Sequence, residues 1–165
     1  MSFAGINATQ NLSFYAIPVA FVIALAPHIY AISLFNTERA SGTSEYDKTC
    51  PTSQTSKVKE AKLSPNATGN FIRAEAANAN GFINLPLFAG AVIAGNMARL
   101  SPATLNAATG TYLVSRVIYN LIYINNHKSN AISQGRTAVF LIGIFACMTL
   151  FVQAGNRMRL GYVSY

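Results

Sequence analysis

Charge is what this chain has least of. Only 10% of its 165 residues are Asp, Glu, Lys or Arg, against roughly a quarter in soluble domains, which argues against an ordinary water-facing globule. Acidic residues are scarcest: there are five, and Glu38, Glu45, Asp47 and Glu60 all fall between positions 36 and 70. The formal net charge of +7 is not concentrated on any one helix face. It therefore gives no nucleic-acid footprint and reads as a membrane-orientation signal. Cysteine is nearly absent, with two residues. Cys50 lies in a polar stretch and Cys147 in an apolar one, a difference in depth that argues against a disulfide. No internal repeat is visible and no metal site is expected. The first apolar run lacks the basic leader and cleavage pattern of a signal peptide, so it is expected to stay in the chain.

Apolar length takes the place of charge. Hydrophobic residues make up 52% of the sequence, gathered into four segments near the 20 or so residues that a bilayer crossing takes: 13–35, 71–95, 105–125 and 136–155. The pattern predicts an all-α integral membrane four-helix bundle, a single domain over residues 1–165. Residues 36–70, rich in Ser and Thr, read as one long irregular loop. The other connections are short, so each joins antiparallel neighbours.

Orientation follows from the cations near the spans. Arg39, Lys48, Lys57, Lys59 and Lys62 lie in the first loop, with Lys128 and Arg136 in the third connection, against Arg99, Arg157 and Arg159 on the other side. The positive-inside rule puts the first and third loops in the cytosol and both termini across the membrane. Sequons at Asn7 and Asn11 would face a lumen, which permits glycosylation, whereas Asn66 would face the cytosol.

Polar residues inside the apolar segments follow helical spacing. Arg73, Asn80 and Asn84 fall within about 20° of one another on the second helix, with Ala77 between them. Glu75 and Asn78 point elsewhere, and Glu75 suits the water interface. Arg116, Tyr119 and Tyr123 recur at i, i+3 and i+7 on the third helix. Arg136 opens the fourth span at similar depth, and His28 follows Pro27 in the first. All four helices thus send polar groups to one cytosolic layer. Asn and Tyr at such depths often serve only interhelical hydrogen bonding, and Arg73 and Arg136 can snorkel to headgroups. Arg116 is different, because it lies roughly 16 Å into its helix, where an ionised group needs a partner or a wet cavity. Cys147 and Met148 read as packing residues.

Three stretches carry a family resemblance: "RAEAANANGFINLPLFAGAVIAGN" on the second helix, "YLVSRVIYNLIYI" on the third and the Arg opening the fourth. With the four-span layout, the chain resembles the MAPEG family, the membrane-associated proteins of eicosanoid and glutathione metabolism, and within it the fungal branch. The resemblance implies a homotrimer in the endoplasmic reticulum or a related membrane, with glutathione bound between subunits near the cytosolic face. It also implies conjugation, peroxide reduction or isomerisation of lipophilic substrates. Asn80 matches the family Asn, Tyr119 and Tyr123 match the third-helix tyrosines, and Arg136 is the counterpart of the thiol-activating Arg. Arg73 and Asn84 complete the candidate cofactor set, and Arg116 and His28 join the tyrosines and Arg136 as catalytic candidates. Gly90 with Ala94, and Ala91 with Gly95, form small-x3-small pairs suited to packing second helices together in a trimer.

Two positions depart from the family. Ile83 stands where members carry a glutathione-binding Glu, and Ala76 replaces an Arg, with Arg73 one turn earlier on nearly the same face. Glutathione is the implied cofactor, and Ile83 puts it in question, since an Ile cannot hold the glutathione amino group. Three functions stay open: a glutathione-dependent transferase or isomerase, a glutathione-independent isomerase or cyclase of a natural-product pathway, and a noncatalytic membrane scaffold. The expected partners are a lipophilic small molecule, membrane lipid and further copies of the chain, with no nucleic acid.

Overall fold

The computed structural model describes residues 10–43, 45–46, 58, 61–125 and 130–161. Asn7, Asp47, Lys48, Cys50, Lys57, Lys59, Glu60 and Lys128 lie outside them. Among the described residues the fold is all-α, with four long helices in sequence: α1 Ala16–Glu38 after a 3-10 turn at Ser13–Tyr15, α2 Pro65–Met97, α3 Pro102–Asn125 and α4 Asn130–Arg159.

Both α2 and α4 outrun their apolar segments. α2 starts at Pro65 instead of 71, because Ser64 Oγ accepts the Ala67 N–H at 3.2 Å and a proline occupies the first turn, two start signals that outweigh a polar composition. At 33 residues α2 is about 50 Å long, well beyond a hydrocarbon core of about 30 Å. Among the described residues, three helical stretches are long and apolar enough to cross a membrane: Ser13–Glu38, Pro65–Met97 and Ile132–Arg159. α3, the third of the four spans expected from sequence, has the length but not the average apolarity. Its Arg116, Tyr112 and Tyr119 are turned inward, while Val114, Val117, Ile118 and Leu121 form an apolar outer face.

The α1–α2 seam is the tightest contact. Ala16, Ala20, Ala24 and Ala31 are buried along one face of α1. A Cβ added at Gly81 would lie 2.8 Å from the Ala24 Cβ, so only glycine permits this crossing. Asn78 Nδ2 donates to the Ala24 carbonyl at 2.9 Å, and Phe21 meets Phe82 edge-on with ring centroids 5.3 Å apart. Deeper in the bundle Phe88 stacks on Tyr112 at 4.0 Å, beside buried Leu105, Leu150 and Cys147. Met148 faces outward instead of packing. Ala91 and Gly95 are also committed inside the subunit, where a Cβ on Gly95 would meet Leu105 Cδ2 at 2.8 Å. Of the two small-residue pairs, only Gly90 and Ala94 remain at the rim.

The described parts of the long connection are less solvated than their composition suggests. Tyr46, Val58, Ala61 and Leu63 pack on Phe35 and Phe71, closing one end of the bundle. At the other end Asn11 Nδ2 donates to Asn96 Oδ1 at 2.6 Å and Asn106 Nδ2 to the Gln10 carbonyl at 2.7 Å. These bonds clasp the chain ahead of α1 to the α2–α3 turn, and they engage the sequon amide of Asn11.

Pro27 sits inside α1 and has no N–H for the carbonyl four residues back, that of Ile23. Asn120 of α3 supplies the missing donor, its Nδ2 lying 3.0 Å from Ile23 O. Asn120→Leu is therefore expected to cost about 1–2 kcal/mol. The same change in a Pro27→Ala background, where the backbone N–H is restored, is expected to cost much less. Unfolding in mild detergent across this double-mutant cycle is the check, and equal costs in both backgrounds would contradict the pairing.

Candidate functional site

Arg116 is the only Arg of the described residues that is fully inside the bundle, at 4% exposure. Its guanidinium carbon lies 4.9 Å from the Tyr112 ring centroid, 5.7 Å from Tyr119 and 4.7 Å from Phe140. The negative faces of these rings answer part of the charge. Nη2 donates to the Phe140 carbonyl at 3.3 Å, and Nε is buried without a hydrogen-bond partner. No carboxylate lies within ion-pair distance of it among the described residues. Gly143 of α4 makes room: a Cβ there would stand 2.9 Å from Nη2 and would collide with Ser115 Oγ.

Next to this cation the third-helix tyrosines meet the second and fourth helices. Asn80 Nδ2 donates to Tyr119 Oη at 3.1 Å. Tyr119 and Tyr123 rings are 5.4 Å apart, and the Arg136 guanidinium carbon sits 4.4 Å above the Tyr123 centroid. The i, i+3, i+7 spacing thus brings Arg116, Tyr119 and Tyr123 to a shared cluster with Asn80 and Arg136. Tyr112, one turn before Arg116 and so on the same face, is the member that sequence reasoning missed.

Three candidates stand apart from this cluster. Arg73 is turned to the end of α3, donating through Nε to the Ile124 carbonyl at 3.0 Å and through Nη2 to Asn70. Asn84 is buried and donates to the Asn80 carbonyl of its own helix at 2.7 Å. His28 points to the opposite flank of α2, where its Nδ1 lies 2.8 Å from Glu75 Oε1. Glu75 is thus paired and not merely at a water interface.

One space adjoins the cluster and a second lies beyond it. A water-sized void is lined by Ala24, Gly81, Tyr112, Arg116, Tyr119 and Asn120, among others. A groove of about 330 Å³ between α1 and α3 is lined by Pro27, Tyr30, Val117, Leu121 and Ile124 and shares Ile23 and Asn120 with that void. Ile23 and Asn120 therefore form the wall between an apolar groove and a positively charged interior.

Because no carboxylate among the described residues answers Arg116, Arg116→Leu leaves no stranded partner charge there and removes a desolvated one. The variant is expected to fold, with an unfolding midpoint at or above that of the wild type, while turnover is lost. Thermal unfolding and size-exclusion profiles beside turnover are the check. Collapse of the folded species would instead mark Arg116 as a structural ion whose partner lies elsewhere.

No curated protein and no solved structure matches the chain. A family match extends over residues 9–156, spanning the turn before α1 through most of α4 and including every member of the cluster. On that match, and with three helices fit to cross a membrane, the chain belongs to the MAPEG family.

Proposed function

We propose that the protein is a membrane enzyme that isomerises or cyclises a lipophilic small molecule at the Asn80–Tyr119–Tyr123–Arg136 cluster without relying on glutathione. Asn80 donates to Tyr119 Oη, so the hydroxyl hydrogen of Tyr119 is available to a substrate oxygen. Arg116 supplies a fixed positive charge behind the Tyr119 ring, and Arg136 a second one over Tyr123. Preorganised donors and charges of this kind stabilise negative charge that develops on a substrate oxygen. The α1–α3 groove offers an apolar berth on the far side of the Ile23–Asn120 wall from Arg116 and Tyr119. Family membership and the cation distribution support a homotrimer in the endoplasmic reticulum membrane, with the cluster near the cytosolic face and both termini luminal. The resemblance to the fungal branch supports a role in a natural-product pathway.

The observation that carries the glutathione-independent reading is Ile83. It is 73% exposed on the outer face of α2, where the family places the carboxylate for the glutathione amino group. The one acid on α2, Glu75, is engaged by His28. Glutathione carboxylates would find Arg136 and Asn80, but its ammonium finds no anion among the described residues near them, so the residues present do not fit the whole tripeptide. The Asn80–Tyr119 pair and Arg136 favour a second reading, a glutathione-dependent transferase or isomerase with weakened cofactor affinity.

A missing charge-assisted hydrogen bond is worth about 1.5–3 kcal/mol, or roughly ten- to a hundredfold in affinity. Titration calorimetry is expected to find weak or no glutathione binding to the wild type and tighter binding to Ile83→Glu. Micromolar or better binding by the wild type would restore the glutathione-dependent reading.

A further inference from the structure

The His28–Glu75 pair lies outside the tyrosine–arginine cluster. His28 is ten residues from the end of α1 and twelve from its start, so it sits roughly 15–18 Å from either helix end. An ionisable pair at that depth is costly, and its default explanation is functional. Nδ1 of His28 lies 2.8 Å from Glu75 Oε1, with the two side chains 25% and 31% exposed. A carboxylate has no proton to give, so Nδ1 is the donor of this bond, and in the neutral imidazole the lone pair is then on Nε2. Among the described residues, the groups facing the imidazole are Glu75 from α2 and the edge of the Tyr46 ring, 6.2 Å away centroid to centroid. The seam beneath is rigid, held by the Gly81–Ala24 contact and by the Asn78 bond to Ala24 O. Phe21 and Ile72, both exposed, lie within two turns of the pair on the same helices and make that flank apolar.

We propose that His28 and Glu75 form a proton-transfer dyad for lipophilic ketones with an acidic C–H next to the carbonyl, His28 Nε2 being the base and Glu75 its positioning residue. Nε2 takes the proton from the α-carbon of a β,γ-unsaturated ketone. The C–H electron pair forms a carbon–carbon double bond and the carbonyl pair moves to oxygen, giving a dienolate. The imidazolium returns the same proton to the γ-carbon, and the oxygen pair re-forms the carbonyl. The net change is a 1,3-hydrogen shift to the conjugated enone, with no oxidant, reductant or co-substrate. Glu75 stays ionised, fixes the ring and stabilises the transient imidazolium. This inference goes beyond the cluster reading, because the dyad is a separate pair made by His28 and Glu75 alone.

The test uses the full chain in phosphatidylcholine vesicles with a long-chain β,γ-unsaturated methyl ketone, read by the ultraviolet absorbance of the conjugated product. The wild type is expected to isomerise it, and His28→Gln to lose at least a hundredfold, the scale of general-base catalysis. Glu75→Gln is expected to lose about tenfold in kcat with KM unchanged, and Glu75→Asp to recover part of that. Added imidazole is expected to restore turnover to His28→Ala, which a purely structural histidine would not allow. Full activity in His28→Gln, or a loss that free imidazole leaves untouched, overturns the dyad. If activity survives His28→Gln but falls in Tyr119→Phe, the dyad fails while the isomerase reading stands. If the wild type leaves the ketone unchanged, the dyad proposal is overturned, and the cluster reading is tested separately by the glutathione titration.

Discussion

A guanidinium in the interior, with no carboxylate among the described residues to answer it, sets the terms for the rest of this bundle. Taking Arg116 out of water is expensive, and what offsets the cost is spread over two helices: the faces of Tyr112 and Tyr119 on α3, and the ring and carbonyl of Phe140 on α4. Gly143 has no side chain where one would strike the guanidinium. One of the aromatic groups that stabilise the charge, Tyr119, also belongs to the site. Tyr119 is at once a wall of the cation's cage and the acceptor of Asn80, so positioning the cation and positioning the hydroxyl are a single packing problem.

The same economy governs the backbone. In an apolar surround every exposed carbonyl needs a donor, and the amides of this chain are deployed accordingly. Asn120 answers the Ile23 carbonyl that Pro27 leaves bare, Asn78 reaches Ala24 O across the seam, and Arg73 reaches Ile124 O at the end of α3. Arg73, a site candidate in sequence, thus also serves a backbone carbonyl. The chemistry proposed above is assigned to the cluster around Tyr119 and to the separate His28–Glu75 pair.

The helix count, the all-α class and the membership of Arg116, Tyr119, Tyr123, Asn80 and Arg136 in one region were legible because helical periodicity fixes which residues of one helix share a face. Partners across helices were not. Nothing in the spacing of Glu75 says that α1 will present His28 to it, since that depends on the rotation at which Gly81 lets α1 approach. Asn120 is similar: Pro27 announces an orphan carbonyl, but which amide serves it depends on how α3 lies against α1. The helical extension at Pro65 was masked by polar composition although Ser64 and Pro65 are start signals, and the capping role of Tyr46 and Leu63 was masked because isolated apolar residues in a Ser- and Thr-rich segment have no period. Ala91 and Gly95 show the converse, a small-residue signal that was real but used within the subunit, against Leu105.

The central claim is that this family member keeps the positively charged, tyrosine-lined cluster while giving up the anchor for glutathione. Cryo-electron microscopy of the detergent-extracted protein, with mass spectrometry of whatever copurifies, addresses that claim directly. The account predicts density beside Tyr119, Tyr123 and Arg136 belonging to a lipophilic molecule without a peptide backbone, absent from a Tyr119→Phe, Arg136→Leu preparation. Glutathione in that density, with its mass recovered at stoichiometric yield from protein purified without added thiol, would contradict it.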